Sequence, residues 1–370
     1  MGKLREIYAF VGHHLREVLL HLDRSRLPNT QPRVIFFASS DLHDGGSSEL
    51  RATNIVRALR ARGWRAVIVP PQLELGQRLR VLRKENPDLI VLQQWRHSLN
   101  RPSLYQPWPV LLDIDDADFL DTRYTETISE CCRQSVAVIA GSSFVANWCA
   151  QYNEAIHIVW TGSPVRIPDS FDKPSPPILA YANSSPTSCP HELETILTVV
   201  KALAAEGIVF RFRLYHGVDT LAQCRPFIEQ VENKGVPVEA IPNLKYSDFL
   251  KSLDSVAVAL APLSVKDNSF ANGKSFGKTL AYMSAGVATV AQNECEYPKF
   301  YRHRKNGMLA STQEEWISCT RYLLKNHAAC EAIAKQAHFD YISQLSLDVV
   351  SSRVSEILQK TLTLSRRDQK

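Results

Sequence analysis

Residues 255–292 read SVAVALAPLSVKDNSFANGKSFGKTLAYMSAGVATVAQ, and this stretch decides the fold class. A continuous apolar run of strand length, VAVALAPL, comes first, and a polar loop rich in asparagine and glycine follows it. KTLAYMSAG then predicts a helix that stops at Gly286, and VATVAQ predicts a second strand. Strands that are apolar throughout are buried on both faces, so this strand, helix and strand predict a parallel sheet covered by helices.

The same alternation of short apolar strands and helices runs through both halves of the chain. It begins at RVIFFA, residues 33–38, and restarts at ILAYA, residues 178–182. Between the halves, residues 163–177 hold five prolines and little periodic hydrophobicity, which is typical of a linker. The pattern therefore predicts an α/β protein of two Rossmann-like domains that face each other across a ligand-binding cleft.

The length of the chain agrees with two domains. At 370 residues it exceeds the ~250–300 at which a single hydrophobic core usually stops growing. The predicted organisation is an N-terminal helical extension over 1–32, a first Rossmann-like domain over 33–165, a linker over 166–177, a second Rossmann-like domain over 178–345, and a C-terminal helix and tail over 346–370.

Composition argues against several classes of protein. Hydrophobic residues make up 45% of the chain and charged residues 22%, which is ordinary globular usage. The net charge of +5 is small and the basic residues form no long run, so we expect no nucleic-acid partner. The cysteines form no C-x-x-C pair and predict no metal site. Neither a membrane span nor a signal peptide is visible, so we expect a cytoplasmic protein.

Residues 4–22 predict an amphipathic helix. Its apolar residues recur three and four positions apart along one stripe: Leu4, Ile7, Tyr8, Val11, Leu15, Val18, Leu19 and Leu22. The opposite face is basic but also carries Glu6 and Glu17, which weaken the attraction to an anionic membrane surface. Two interpretations stay open. The stripe packs on the body or on a second subunit to make a dimer, which we favour, or it makes peripheral contact with the inner face of the membrane.

The polar loop after the strand VAVALAPL is the strongest candidate for a ligand site. Lys274, Ser275 and Lys278 lie at the start of a predicted helix, where free backbone N–H groups and the helix dipole favour an anion. Two ammonium groups at the same spot suit a diphosphate and remove the strict need for a metal ion. The alternative is that both lysines are solvated at an ordinary helix start.

Three further motifs follow predicted strands of the first half. The pair Gly45–Gly46 lies after the first strand, where glycine lets the backbone approach a ligand. The acidic run Asp113–Asp118 ends another strand, and its carboxylates either bind sugar hydroxyls and orient an acceptor or serve as helix caps and solvated turns. Gly141–Ser143 and Thr161–Gly162 follow later strands, and ordinary turns explain them almost as well.

The order of these segments resembles the glycosyltransferase family 4-like group, retaining enzymes with the GT-B fold. The resemblance covers nearly the whole chain from Arg33 to about Tyr341. In the first half it rests on DGGSSELRATNIVRALRARGWRAVIV, NPDLIVLQ, VLLDIDDADF, VIAGSSFVANWC and VWTGSPV. In the second half it rests on SVAVALAPL, FANGKSFGKTLAYMSAGVATVAQ, EYP and NGMLAST, of which the longest run is the most specific.

The resemblance implies transfer of a sugar, with retention, from a nucleotide-sugar co-substrate to a glycan, lipid-linked or protein acceptor, in surface polysaccharide or glycoconjugate biosynthesis. It implies no other cofactor and no protein nucleophile, because the leaving diphosphate helps to deprotonate the incoming hydroxyl. The donor-binding residues would be Asn268, Gly273, Lys274, Ser275, Phe276, Gly277, Lys278, Thr161 and Gly162. The acceptor-binding residues would be Gly45, Gly46, Asp115 and Asp116, and the catalytic candidates are Lys274, Lys278 and Asp116.

This sequence departs from the family at its carboxylates. The family carries two glutamates around the helix, of which the second holds the ribose, and alignment through YMSAG puts them at Gly273 and Ala281. The loop ANSSPTS after ILAYA lacks the arginine that many relatives place there, and Glu294 and Glu296 are candidate substitutes for the glutamates. Two alternatives therefore stay open: a non-catalytic GT-B relative that serves as an assembly partner, or another GT-B enzyme such as a nucleotide-sugar epimerase.

Overall fold

The structure is a computed structural model that describes residues 18–40 and 46–367. The chain forms two compact units. One holds the residues up to Gly162 together with those from Val350 onward, and the other runs from Ser163 to Val349. Each unit is built on one parallel six-stranded sheet with helices between its strands, so the predicted class of two Rossmann-like domains is confirmed.

The first sheet has the strand order β2-β1-β3-β4-β5-β6, and all its neighbouring strands are parallel. Its strands are β1 (Arg33–Phe37), β2 (Arg65–Val69), β3 (Leu89–Gln93), β4 (Val110–Ile114), β5 (Ala137–Ala140) and β6 (Ile156–Ile158). A π-helical turn (Glu49–Thr53) leads into α1 (Asn54–Ala61), and α2 (Leu75–Glu85), α3 (Thr125–Gln134) and α4 (Ser143–Cys149) follow. The strand order reverses between β1 and β3, and ligands of such sheets bind beyond the carboxyl ends of the strands at this point.

A glycine fixes the loop that leaves β4. A Cβ at Gly141, directly after β5, would lie 2.6 Å from the Cβ of Asp115. Any other residue at position 141 would displace that loop, because real Cβ atoms do not approach so closely. Gly141 is therefore needed for the position of the Asp115 carboxylate.

The second sheet has the strand order β12-β11-β10-β7-β8-β9, which reverses between β7 and β10. Its strands are β7 (Ile178–Ala182), β8 (Arg211–His216), β9 (Val238–Pro242), β10 (Val256–Ala261), β11 (Ala288–Gln292) and β12 (Met308–Ala310). Its helices are α5 (Pro190–Ala205), α6 (Leu221–Glu232), α7 (Tyr246–Ser252), α8 (Gly277–Ser284), α9 (Tyr297–Phe300), α10 (Gln313–Lys325) and α11 (His327–Leu345). The stretch 255–292 forms β10, α8 and β11, as its pattern predicts.

Two segments lie near the division between the units. The proline-rich stretch before β7 packs on the second unit, where Phe171 contacts the core and Arg166 forms an ion pair with Asp254. The last helix, α12 (Leu347–Arg367), belongs to the first unit from Val350 onward. The division cuts the chain after Gly162 and before Val350, and the predicted bounds of the five segments stay a prediction.

Residues 18–25 are helical, and the rest of the predicted amphipathic helix, residues 4–17, lies outside the described residues. Leu20 packs in the core of the first unit, whereas Val18, Leu19 and Leu22 of the predicted stripe are exposed. Among the helices of residues 18–40 and 46–367, none is long and apolar enough to cross a membrane.

Candidate functional site

A pocket of about 480 Å³ opens in the second unit. Its walls are the loop after β7, the first turn of α5, the loop after β10 and the first turn of α8. It therefore lies at the carboxyl ends of β7 and β10, where the strand order reverses. This is the place at which open parallel sheets bind ligands. We call it the donor pocket, after the role predicted for its residues.

Five of the predicted donor-binding residues line this pocket: Asn268, Lys274, Ser275, Gly277 and Lys278. Gly273 and Phe276 do not line it. Phe276 is fully buried and stacks on Tyr297, with ring centroids 6.4 Å apart, so it anchors the start of α8 to the core. The N–H groups of Thr279 and Leu280 donate to the Phe276 carbonyl at 2.7 and 3.2 Å, so the N–H groups of Gly277 and Lys278 are the ones at this helix start that an anion could use.

Lys278 is held by a buried carboxylate that the sequence did not single out. Its ammonium lies 3.3 Å from Oε2 of Glu192 and 4.7 Å from the centroid of the Tyr181 ring. The Tyr181 hydroxyl donates to the same oxygen of Glu192 at 2.6 Å. Burial, and then the charge of Glu192, raise the pKa of Tyr181 well above its usual value, so Tyr181 keeps its proton and remains a donor.

Glu192 still has acceptor capacity that faces the pocket. Its side chain is only 6% exposed, yet it lines the pocket. Its second oxygen, Oε1, accepts one long hydrogen bond, from the Ser264 N–H at 3.4 Å. An ionised carboxylate oxygen can accept about two hydrogen bonds, so Glu192 can receive a hydroxyl from a ligand.

The N-terminus of α5 is capped by Asp267, an acidic residue from the loop after β10. The Asp267 carboxylate accepts the N–H groups of His191 at 3.1 Å and of Glu192 at 3.2 Å, and it is also hydrogen-bonded to the His191 ring. Burial alone would raise the pKa of Asp267, but these bonds lower it. Because the α5 N–H groups are used in this way, α8 is the helix start that remains open to a phosphate.

The substitutes that the sequence offered for the family glutamates do not line the pocket. Glu294 is exposed, and Glu296 is buried with an ion pair to Lys299 at 3.0 Å. Ala281 is buried and is not part of the pocket wall either. The carboxylate that does line the donor pocket is Glu192, which follows the loop ANSSPTS. The arginine missing from that loop was the only sequence signal that pointed to this part of the pocket.

In the first unit, a buried arginine joins the ends of several elements. Arg51 donates to Oδ1 of Asp113 through Nε at 2.9 Å and Nη2 at 2.7 Å, and its Nη1 donates to the carbonyl of Val159 at 3.0 Å. Burial alone would lower the pKa of Arg51, but Asp113 and Asp115 raise it, so the guanidinium stays charged. Sequence reasoning missed Arg51 because its pattern is that of an ordinary helical arginine.

Asp115, a predicted acceptor-binding residue, lies beside this arginine. Its Oδ2 accepts the Ser47 hydroxyl at 2.7 Å and lies 3.9 Å from Nε of Arg51. Burial raises its pKa to about 6, with help from Asp116 and Asp113 and against the effect of Arg51. Its Oδ1 is buried and, within the described ranges, has no hydrogen-bond partner. Asp115 therefore presents an unsatisfied carboxyl oxygen at the carboxyl end of β4.

The two predicted glycines precede Ser47. Gly45 lies outside the described residues, so the structure says nothing of it. The Gly46 carbonyl accepts the Leu50 N–H at 3.0 Å, an α-helical bond directly before the π-helical turn. At the end of β3, Gln93 accepts the hydroxyl of Ser48 at 2.8 Å, which ties this turn to the sheet.

Gln94, next along the chain, is a residue that sequence reasoning missed. Its backbone is left-handed, with φ of 60°, and its side chain is buried. Within the described residues, neither polar atom of its amide has a partner. A strained backbone and an unsatisfied buried amide both cost stability, and such features cluster at functional sites.

Asp116, the predicted catalytic carboxylate, forms an ion pair with Arg96 at 2.7 Å. The same arginine binds Asp118 at 2.7 Å, and Asp118 also accepts the Trp95 indole N–H at 2.7 Å. Hydrogen bonding to Asp118 raises the pKa of Arg96. The two carboxylates thus differ: Asp118 is bonded to both Trp95 and Arg96, whereas the side chain of Asp116 is 17% exposed and pairs with Arg96.

Thr161 and Gly162, predicted to bind the donor, belong to the first unit. The Thr161 hydroxyl accepts a hydrogen bond from Arg51 at 3.1 Å. Both residues line a cavity of about 10 Å³, which has room for one water molecule at most. Their donor-binding role stays a prediction. No cluster of three or more metal-ligating side chains occurs within residues 18–40 and 46–367.

Solved structures resemble this chain over most of its length. Sucrose-phosphate synthase from Thermosynechococcus elongatus has a TM-score of 0.70 at 11% identity, and the match covers 90% of this chain and 100% of that chain. A glycosyltransferase from Rickettsia africae has a TM-score of 0.69 at 12% identity, with 90% and 99% covered. HepE of Anabaena, in complex with UDP and glucose, has a TM-score of 0.62 at 14% identity, with 89% and 100% covered.

These likenesses, with the two parallel sheets and their strand orders, define the GT-B fold. Residues 197–357 match the model of a family described as glycosyl transferase-like. No curated protein matches the sequence. The family match and the structural neighbours together support a GT-B glycosyltransferase.

Proposed function

We propose that this protein is a glycosyltransferase that binds a nucleotide-sugar in the donor pocket of its second unit. The observation that carries the proposal is the convergence of Lys274, Lys278 and the start of α8 on one pocket of about 480 Å³. Two ammonium groups and a helix N-terminus suit a diphosphate. The bound UDP of HepE, a neighbour with the same fold, agrees with this choice of ligand.

In the proposed reaction the bond between the anomeric carbon and the diphosphate oxygen breaks. A hydroxyl of a glycan, lipid-linked or protein acceptor forms the new bond on the same face of the sugar, with retention, and its proton passes to the leaving diphosphate. Lys274 and Lys278 stabilise the charge that develops on this leaving group. These two lysines supply positive charge without a metal ion, so we propose turnover that does not depend on one.

Glu192 has two roles in this proposal. Its Oε2 holds the ammonium of Lys278 in place. Its Oε1 accepts a hydroxyl of the donor, because a nucleotide-sugar offers hydroxyl donors on its ribose and its sugar and a carboxylate is an acceptor only. Glu192 thus supplies a carboxylate in a pocket from which the family glutamates are missing.

The first unit is proposed to hold the acceptor through the turn at Gly46 and through Asp115 and Asp116. The supporting observation is that Oδ1 of Asp115 is buried and has no hydrogen-bond partner among the described residues, so a hydroxyl of the acceptor would satisfy it. Asp116 forms an ion pair with Arg96 and is the second carboxylate of this group. Both would orient the hydroxyl that attacks the donor.

A thermal-shift screen against UDP, GDP, ADP and CMP, with no metal added, tests the proposal. A ligand at about 100 times its dissociation constant stabilises the folded protein by about 2.7 kcal/mol, which raises the Tm by a degree or more. We expect one nucleotide class to shift the Tm, and the matching nucleotide-sugar to be consumed when acceptors are supplied. A cooperative melt that no nucleotide shifts would contradict donor binding.

The second candidate function is a non-catalytic GT-B partner in a glycosylation complex. Gly273 and Ala281 favour it, because they stand where the family has carboxylates. The two functions give different results in one assay. Binding of a nucleotide without any consumption of its sugar conjugate, over a broad set of acceptors, would favour the non-catalytic partner.

A cytoplasmic location, with the predicted helix 4–22 at a second subunit or at the membrane, also belongs to the proposal. Exposure of Val18, Leu19 and Leu22 supports a contact that covers them. Sedimentation with anionic vesicles, compared with the mass of the protein in solution, separates membrane contact from a dimer.

A further inference from the structure

A second pocket of about 480 Å³ lies in the second unit and shares no lining residue with the donor pocket. One wall is the turn before β12, which contributes Arg302, Arg304 and Lys305. The other wall is formed by Tyr322 of α10 and by α11, including Gln336. We call it the basic pocket. Neither the fold nor the proposed transfer reaction gives it a role.

The turn that carries the three cations is built rigidly. Asn306 is buried, its Oδ1 accepts the Arg302 N–H at 2.6 Å, and its Nδ2 donates to the Phe300 carbonyl at 3.1 Å. Position 307 accepts only glycine, because a Cβ there would lie 2.4 Å from the ring of Tyr301. The basic side chains therefore start from a fixed backbone.

A buried carboxylate, Asp340, faces this turn and is already engaged in three hydrogen bonds. The buried Asp340 accepts Arg302 Nη2 at 2.5 Å, Asn306 Nδ2 at 2.7 Å and Gln336 Nε2 at 2.9 Å. This network fixes Arg302 at the edge of the basic pocket. It neutralises one of the three cations and leaves the charges of the other two.

Arg304 and Lys305 supply those remaining charges. Arg304 has a left-handed backbone, with φ of 63°, and its guanidinium lies over the ring of Tyr322 at 5.1 Å. Side chains with a Cβ rarely adopt this conformation, and strain of this kind concentrates at binding sites. In the described part of the chain, neither Arg304 nor Lys305 forms an ion pair with a carboxylate.

We propose that the basic pocket binds the phosphate group of a phosphate ester. The Arg304 guanidinium matches the oxygens of a phosphate in planar geometry, and Lys305 adds a point charge. A multiply charged anion fits better than a single carboxylate, because two cations remain after Asp340 is counted. Ala329, Ala332 and Ile333 form an apolar wall against which the carbon chain of the ester lies. The ester is either a soluble compound or the headgroup of an anionic phospholipid.

Binding to two probes at about 0.1 M salt tests the proposal and separates the two sources. The first probe is sn-glycerol 3-phosphate, measured by calorimetry. The second is sedimentation with phosphatidylcholine vesicles that contain phosphatidylglycerol, compared with pure phosphatidylcholine. The test variant is Arg304→Gln with Lys305→Gln. The matched control is Lys234→Gln with Lys251→Gln, which removes two exposed lysine charges from the same unit.

We expect the test variant to weaken binding of one probe about tenfold or more while the control keeps it, since two charge-assisted contacts are lost at a partly exposed site. If the variant weakens binding of glycerol phosphate, the natural ligand is a soluble ester. If it weakens binding of the phosphatidylglycerol vesicles, the natural ligand is a lipid headgroup. If neither probe binds, or if the control weakens binding equally, the proposal is wrong. Loss of glycerol phosphate binding in Lys278→Met would also overturn it, because the measured site would then be the donor pocket.

Discussion

The donor pocket and the cluster around Arg51 use charge in opposite ways. Lys278 touches one carboxylate, Glu192, and still lines an open pocket of about 480 Å³. Arg51 is buried, and its guanidinium donates to Asp113, to Thr161 and to the backbone of Val159 beside a cavity of about 10 Å³. The first arrangement leaves a cation at the wall of an open pocket, whereas the second uses its charge to hold strand ends together.

The comparison shows why proximity to a strand end is not enough to assign a role. Both clusters lie at the carboxyl ends of parallel strands, where ligands bind. Within the first unit the division runs between neighbouring carboxylates. Asp113 is satisfied by Arg51, while Asp115 has an oxygen without a partner among the described residues. The two carboxylates therefore differ in how far the described residues satisfy them, so we expect mutations of the two to differ.

The largest effect should come from breaking the buried ion pair. Asp113→Ala leaves the Arg51 guanidinium buried with its main partner gone. Removing one member of a buried pair typically lowers the free energy of unfolding by about 3–5 kcal/mol. We expect a loss of this size for the first unit, measured by urea denaturation followed by fluorescence.

The matched control is Asp121→Ala, which removes a carboxylate from an exposed ion pair with Arg123 in the same unit. We expect its unfolding midpoint to stay at the wild-type value, because exposed pairs contribute little. Equal midpoints for Asp113→Ala and Asp121→Ala would contradict a structural role for Arg51.

Lys278→Ala should have the next largest effect, on nucleotide affinity. A charge-assisted bond to a phosphate is worth about 1.5–3 kcal/mol, which corresponds to roughly a 10- to 150-fold weaker Kd. The loss is increased by Glu192, whose charge then faces the phosphate without its cation. Calorimetry with the nucleoside diphosphate found in the thermal-shift screen measures this loss of affinity. Lys266→Ala, on the same loop but outside the pocket wall, should bind like wild type.

The fold could be predicted almost fully from the sequence, because apolar strands alternating with helices leave few arrangements. That Lys274 and Lys278 lie together at one pocket could also be predicted, since 268–278 is one continuous loop and helix start, whereas their role stays a prediction. Glu192 could not be predicted. It contacts Lys278 across 86 positions of the chain, and its own surroundings are those of an ordinary first turn of a helix.

The first-unit cluster shows the same limit more strongly. Arg51 meets Asp113 and Val159, which come from distant parts of the sequence and are brought together by the sheet order. Burial of an arginine has no local sequence signature. The unsatisfied oxygen of Asp115 likewise depends on what the fold leaves open, so the sequence could indicate a carboxylate cluster but not which member is free.

Asp115 offers a pH-dependent test of that distinction. Its pKa is about 6 in the folded protein, against a reference value of 3.8, so the folded state binds the proton more tightly. Stability from this group is therefore present below pH 4 and is lost as the pH rises through 6. At pH 7.5 the ionised carboxyl lowers the free energy of unfolding by about 1–3 kcal/mol. Asp115→Asn should be more stable than wild type at pH 7.5.

The gain should shrink as the pH falls and approach zero only below about pH 3, where the wild-type carboxyl is protonated in both states. The measurement is the difference in urea midpoint between the two proteins across this pH range. A variant that is less stable than wild type at pH 7.5 would mean that Asp115 is needed by the fold, like Asp113, and is not held ready for a ligand.

The smallest expected effect is also the most selective. Glu192→Gln keeps a side-chain oxygen for Tyr181 but removes the negative charge that pairs with Lys278 and that is proposed to accept a donor hydroxyl. If Glu192 accepts a ribose hydroxyl, the variant should bind the ribonucleoside diphosphate several-fold more weakly than wild type does. It should then bind the 2′-deoxy or the 3′-deoxy form of that ligand as tightly as wild type does. If it accepts a hydroxyl of the transferred sugar, only the sugar conjugate should lose affinity. Equal losses of affinity for all of these ligands would mean that Glu192 acts only by positioning Lys278. Calorimetry with the ribonucleoside diphosphate, its 2′-deoxy and 3′-deoxy forms and the sugar conjugate decides among the three outcomes.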